Sequence, residues 1–153
     1  MRVKSVMKSD VDSCGPDTDL ASAARIMWEK DRGAIPVLDG VKVVGMITDR
    51  DIRVALGANG QSALSTTVDK IMSAEVHDCS PEDNLKTALK RMRRQRVRRL
   101  PVINADGGLV GILSITDIAL NAGKPDGKKR RGPSYRSIFD AYRRICKRQS
   151  SKQ

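Results

Sequence analysis

Gly45-Met46-Ile47-Thr48-Asp49-Arg50-Asp51-Ile52 and Gly111-Ile112-Leu113-Ser114-Ile115-Thr116-Asp117-Ile118 carry one pattern twice. Each runs glycine, two apolar residues, a hydroxyl residue, two variable positions, aspartate and isoleucine. Working outward, the chain matches itself at an offset of 65 residues: Met7, Val11, Cys14, Pro16, Leu20, Ala23, Met27, Pro36 and Val37 fall on Met72, Val76, Cys79, Pro81, Leu85, Ala88, Met92, Pro101 and Val102. One residue then enters the second copy within Asn104–Gly108, and an offset of 66 pairs Val44, Gly45, Asp51, Ile52 and Gly57 with Val110, Gly111, Asp117, Ile118 and Gly123. A Gly-rich hairpin turn is where an insertion is best tolerated. Self-similarity at a fixed period means a duplicated structural unit.

Each copy reads as β-α-β-β-α. A short extended stretch, Val11 to Cys14 or Val76 to Cys79, stops at a proline that opens a turn. A helix follows, with Asp17 or Thr18 in one copy and Glu82 or Asp83 in the other as acidic or capping groups. Leu20, Ala23, Ala24 and Met27 share one helical face, as do Leu85, Ala88, Leu89 and Met92. Two strands come next, Ala34–Leu38 with Val41–Ile47 and Leu100–Asn104 with Leu109–Leu113, reversing at Asp39-Gly40 and Asp106-Gly107. A second helix starts after Thr48 and after Ser114. The fold class is α+β. The division is repeat 1 with its linker over 1–66, repeat 2 over 67–123, and a basic tail with an amphipathic helix over 124–153. One unit has too little apolar area to stand alone, so the copies are expected to pack sheet against sheet with pseudo-twofold symmetry, leaving two equivalent clefts for a ligand.

The formal charge of +11 is not spread evenly. Residues 1–123 hold 18 Lys/Arg and 16 Asp/Glu, whereas residues 124–153 hold 11 Lys/Arg and 2 Asp. The basicity therefore belongs to the tail. No apolar run approaches the ~18 residues needed to cross a bilayer, and no export signal is visible at Met1-Arg2-Val3-Lys4. Three cysteines without CxxC or Cys/His spacing argue against a disulfide framework or zinc. A reducing cytoplasm is the expected compartment.

The twin motifs resemble the G-h-h-T/S-x-x-D-h signature of CBS domains, supported by Ile35-Pro36-Val37, Leu100-Pro101-Val102, Met7 and Met72. The resemblance covers about residues 5–123 and points to a stand-alone tandem pair, or Bateman module. Such pairs bind adenosine nucleotides in the clefts between repeats and usually associate as disc-shaped dimers. It implies an adenine nucleotide (AMP, ADP, ATP or a related compound) as regulatory ligand, no required cofactor, a homodimer and a separate effector protein. It places the ligand against Thr48, Arg50 and Asp51 and against Ser114, Thr116 and Asp117. Backbone contacts to adenine would come from Val11, Ala34, Ile35 and Pro36, and from Val76, Arg99, Leu100 and Pro101.

The chemistry is intelligible apart from the resemblance. An aspartate accepting from paired ribose hydroxyls is a recurrent nucleoside contact, free helix N-terminal N–H groups favour phosphate, and the Arg50 fork suits phosphate oxygens. Thr-x-x-Asp and Ser-x-x-Asp before an apolar run are equally the pattern of a capping box, which needs no ligand; the two roles can coexist. The sites differ, since Thr116 stands where the first motif has Arg50, leaving Arg98 and Arg99 to supply charge from the neighbouring strand.

No nucleophile–base pair, metal cluster or phosphate-transfer loop is present, so an enzyme is not expected. Cys14 and Cys79 read as small core residues, His77 as a surface residue, and Met27, Met92 and Trp28 as core or dimer contacts. The run Lys90, Arg91, Arg93, Arg94, Arg96, Arg98 and Arg99 reads first as a solvated helix face. In the tail, Ser134 can cap a helix carrying Tyr135, Ile138, Phe139, Tyr142, Ile145 and Cys146 along one side. Three roles fit this helix: docking onto protein, the module itself included; binding nucleic acid through 124–153; or binding anionic lipid. Docking onto protein is favoured.

Overall fold

The computed structural model describes residues 1–123 and 132–147, together with the backbone of 125–126 and 129–130. The chain divides into two compact units, each of α+β type. The first unit is Asp10–Val76; the second joins Met1–Ser9 to the chain from His77 onward.

In the first unit α1, Leu20–Glu29, buries Leu20, Ala23 and Met27. Its N-cap is Asp19, whose carboxylate accepts the Ser22 N–H, rather than Asp17 or Thr18. Thr18 Oγ1 is taken one turn earlier, accepting the Gly15 N–H in the proline turn. Strands β1, Ala34–Asp39, and β2, Lys42–Thr48, form an antiparallel hairpin with a register shift between Val37 and Leu38. The reversal at Gly40 has φ +59°, the left-handed backbone that favours glycine. β1 is buried through Val37, while β2 alternates along its length. Helix α2, Asp49–Gly57, follows directly. The extended stretch before α1 narrows to one parallel bridge, Cys14 to Val37.

The second unit repeats this plan with α3 (Leu85–Gln95), β3 (Arg99–Ile103), β4 (Leu109–Ser114) and α4 (Ile115–Leu120). Asn84 caps α3 by accepting the Lys86 N–H. Asp83, expected as a cap, instead accepts the Ser80 N–H in the preceding turn. Cys79 bridges to Val102 as Cys14 does to Val37.

Each unit has its own hydrophobic core: Leu20, Ile35, Val37, Ile47 and Val68 anchor one, and Val3, Leu85, Met92, Leu100 and Leu113 the other. Val3 and Val68 show that the units do not follow the sequence division at 66/67. Residues 68–73 complete the first unit and residues 3–8 complete the second. Met46 and Ser73 exchange both backbone hydrogen bonds, 3.0 and 2.9 Å, and Ile112 and Lys8 do the same at 2.9 and 3.0 Å. A segment ahead of one repeat thus adds a single antiparallel bridge to the hairpin of the other.

This pairing explains the motif glycines. A Cβ on Gly111 would lie 2.7 Å from Met7 Sδ and 3.0 Å from Lys8 O, and one on Gly45 would collide with Met72 Sδ. Each glycine exists to let a methionine cross the strand.

The tail helix α5, Tyr135–Cys146, belongs to the second unit and packs on α3 and α4. Ser134 caps it by accepting the Ser137 N–H at 3.2 Å. The buried face is Ile138, Ala141 and Ile145: of the side read from the sequence Ile138 and Ile145 are buried, whereas Tyr135, Phe139 and Tyr142 are exposed. Tyr135 is 69% exposed and Phe139 65%. The tail residues Lys124, Gly127, Lys128, Arg131 and those from Arg148 onward lie outside the described residues. Met27 and Met92 are core residues, whereas Trp28 is 86% exposed.

Candidate functional site

The two strand-to-helix corners are near-identical in geometry. Thr48 Oγ1 accepts the Asp51 N–H at 3.1 Å, while Asp51 Oδ2 accepts the Thr48 N–H at 2.9 Å and the Thr48 hydroxyl at 2.7 Å. Ser114 Oγ accepts the Asp117 N–H at 3.1 Å, and Asp117 Oδ2 accepts the Ser114 N–H at 2.8 Å and its hydroxyl at 2.5 Å. Both are full capping boxes. All three contacts of each aspartate use its backbone N–H and Oδ2, so capping leaves the other carboxylate oxygen, Oδ1, outside the box.

The surroundings of Oδ1 differ. Asp117 is 8% exposed, the one buried charged residue among those described, and Lys8 Nζ stands 3.9 Å from its Oδ1. Asp51 is half-buried, and its Oδ1 meets no cation among the described residues. Lys8 was absent from the sequence-derived set because its position aligns with Ser73, a residue without charge. The signal that finds it is the strand exchange, which a repeat alignment does not carry.

The free helix N-terminal N–H groups expected at the first corner are occupied. Asp49 N–H donates to Gly33 O at 3.2 Å, Arg50 N–H to Asp49 Oδ1 at 2.7 Å, and Asp51 N–H to Thr48 Oγ1. Dipolar attraction for phosphate is correspondingly reduced there. The Arg50 side chain is exposed and makes no hydrogen bond or ion pair among the described residues, so its fork remains available. At the second corner Ile115 N–H donates to Arg98 O at 2.9 Å. Thr116 is exposed.

Arg98 does not compensate for the missing arginine at position 116. Its guanidinium lies over the Tyr142 ring, 5.5 Å from the centroid, and reaches Cys146 Sγ at 3.9 Å, so it is committed to α5. Arg99 is half-buried and pairs across β3–β4 with Ser114. Ala34 pairs with Thr48 in the same way.

The proposed base-side residues divide between core and backbone. Ile35 and Leu100 are buried core residues, so only their main chains can face a ligand. Pro36 O accepts the Cys14 N–H at 3.2 Å and Pro101 O the Cys79 N–H at 3.0 Å, which fixes both strands. Val11 and Val76 are half-buried, and both fall in the first unit. Burial pushes the Cys14 thiol up to about 11 and the Cys79 thiol up to about 12, so both are protonated at neutral pH. Among the described residues no group of three or more His, Cys, Asp or Glu side chains could hold a metal ion, and no helix is long and apolar enough to cross a membrane.

A sequence model of the CBS domain matches residues 3–58 and 68–122, and the chain belongs to that family as a tandem CBS-pair protein. It is 35% identical over 119 residues to the CBS domain-containing protein YhcV of Bacillus subtilis (strain 168), covering 78% of this chain and 84% of that one. The crystal structure of Hypoxic Response Protein I with two coordinated zinc ions superposes with a TM-score of 0.72 at 31% identity, covering 82% of this chain and 100% of that chain. That of CBSX2, an Arabidopsis thaliana protein, in complex with AMP gives a TM-score of 0.68 at 26% identity, covering 78% of this chain and 93% of that chain. The chain is thus a CBS-pair module, a fold and family associated with regulatory ligand binding.

Proposed function

We propose that the chain is a regulatory module that senses adenosine-type nucleotides at its Thr48–Asp51 and Ser114–Asp117 corners. The observation that carries this is the division of labour on each aspartate: Oδ2 closes the capping box and Oδ1 stays outside it, with Lys8 Nζ 3.9 Å from that of Asp117. Capping and ribose binding therefore do not compete for the same oxygen. The similarity to CBSX2, solved with AMP, supports the ligand class.

In this reading Asp51 and Asp117 accept from ribose hydroxyls, and Thr48 and Ser114 hold the carboxylates in place. Val11, Ala34, Ile35 and Pro36 offer main chain to the base at the first corner, as do Arg99, Leu100 and Pro101 at the second. Arg50 takes phosphate oxygens at the first corner; Lys8 and Arg99 supply the charge at the second, with Thr116 beside them. The role is binding and not catalysis. Ligand energy becomes a signal only through unequal affinity for two states, which a homodimer or an effector protein would read out. The three free thiols fit a reducing compartment such as the cytoplasm.

The test is calorimetric titration of AMP, ADP, ATP, S-adenosylmethionine and NAD into the native chain and into the Asp51→Ala, Asp117→Ala double variant. Binding of at least one adenosine compound, lost in the variant, is the expected result. Absence of any binding to the native chain rejects the reading.

A further inference from the structure

The second unit carries a basic surface that the nucleotide corners do not use. Helix α3 has five basic residues and no acidic one, whereas its counterpart α1 has Arg25 and Glu29 alone. The fold accepts a neutral helix at this position, so the charge on α3 is not a requirement of the architecture. Among the described residues only Arg91 of the five meets an acidic side chain, Asp78 at 3.6 Å and Asp83 at 3.9 Å. Lys90, Arg93 and Arg94 are exposed.

Helix α5 packs directly on α3 and adds a second kind of chemistry. Its buried stripe leaves Tyr135, Phe139 and Tyr142 in an exposed row at spacings of four and three, one helical face; the Tyr135 hydroxyl donates to Ala122 O at 3.2 Å and Tyr142 carries Arg98 over one face of its ring, which leaves the other face for a base. Arg136 and Arg143 lie on the next strip of the helix, also exposed. Asp140 is the single acid of α5. The three rings span about 10 Å of helix axis, the rise of roughly three nucleotides.

We propose that this α3–α5 face binds single-stranded nucleic acid, the rings stacking on unpaired bases and the cations following the phosphates. An exposed aromatic row beside unpaired cations is the composition of a single-strand platform. A duplex would engage the arginines and leave the rings without bases to stack on.

The full chain is titrated by fluorescence anisotropy with a labelled single strand of about 12 nucleotides, its matched duplex, and heparin, a polyanion without bases. The single strand is expected to bind more tightly than the duplex, with log K falling by about 0.7 per log unit of salt for each phosphate contacted. Phe139→Ala with Tyr142→Ala should weaken the single strand ten- to a hundredfold and leave heparin affinity unchanged. Arg93→Gln with Arg94→Gln should flatten the salt slope by about 1.4. Arg93, Arg94 and Phe139 are exposed, whereas Tyr142 also carries Arg98 over its ring; far-UV circular dichroism with thermal melting verifies that each variant folds, and Phe139→Ala alone should weaken the single strand without disturbing that contact. Phe139→Leu with Tyr142→Leu, which retains apolar bulk, should still lose single-strand preference. No binding, equal affinity for strand and duplex, or an aromatic variant that binds as the native chain does would overturn the proposal, as would association with an acidic protein alone.

Discussion

Lys8 Nζ lies 3.9 Å from Asp117 Oδ1, joining the start of the chain to the corner of the second repeat. The contact exists because Lys8 exchanges both backbone hydrogen bonds with Ile112, which places its side chain beside the capping box. Lys8→Ala should weaken the second corner for AMP about tenfold and leave neutral adenosine nearly unaffected, as read by calorimetry with both ligands. Stability should change by less than about 0.5 kcal/mol, since the lysine is more than half exposed. Equal losses for AMP and adenosine would assign Lys8 a structural role only.

Gly111 and Met7 form a close-packed crossing that no other residue at 111 accommodates. Gly111→Ala should cost about 1–3 kcal/mol by overpacking, measured by urea denaturation. Combining it with Met7→Ala should recover part of that loss, because the added Cβ then enters the space that the sulfur occupied. A double-mutant cycle measures this coupling; strict additivity would show that the two residues do not meet.

How much of this was legible in the sequence follows the range of the interactions. The duplicated unit, its strands and helices, and the Thr48/Asp51 and Ser114/Asp117 pairs are local patterns, and the structure has them at those positions. The helix caps were displaced by one or two residues, because Thr18 and Asp83 bond the proline turns and leave Asp19 and Asn84 to cap. The strand exchange was not legible: Met7 and Met72 align with each other, and nothing in the alignment says that each crosses the other repeat's glycine. Lys8 and the commitment of Arg98 to α5 were hidden for the same reason. The tail helix is legible in place and amphipathicity, and Ile138 and Ile145 of its apolar side are buried; Ala141, too small to mark a side by itself, completes the buried stripe in place of the exposed aromatics.

Ile145 is buried and Phe139 exposed on that helix, so the pair separates packing from surface. Ile145→Ala should cost about 2–5 kcal/mol, whereas Phe139→Ala should stay within about 0.5 kcal/mol. Thermal or urea unfolding distinguishes them; the reverse order would mean that α5 docks through its aromatic row.

Cys79 and Cys14 give a signed pH dependence. Their folded thiols titrate near 12 and 11, above the usual 9.0, with burial the leading cause for both and the Asp83 charge adding for Cys79. The unfolded chain therefore releases these protons first, so the contribution is intact below about 9 and declines as pH rises toward the folded values. The urea midpoint should fall above pH 9, and less so in Cys79→Ala relative to that variant's own value at neutral pH. At neutral pH a thiol reagent should modify Cys146 ahead of the two buried cysteines; rapid labelling of all three would contradict their burial.

The most direct test of nucleotide sensing replaces only the carboxylate. Asp51→Asn with Asp117→Asn keeps an acceptor oxygen for the Thr48 and Ser114 N–H groups, so the caps persist while the charged ribose acceptor is lost. The measurement is calorimetric titration of AMP into this variant and into the native chain, with melting temperatures compared. The variant should fold with a stability close to native while its AMP affinity falls at least tenfold. A variant that binds AMP as tightly as the native chain does would show that these aspartates are helix caps and nothing more.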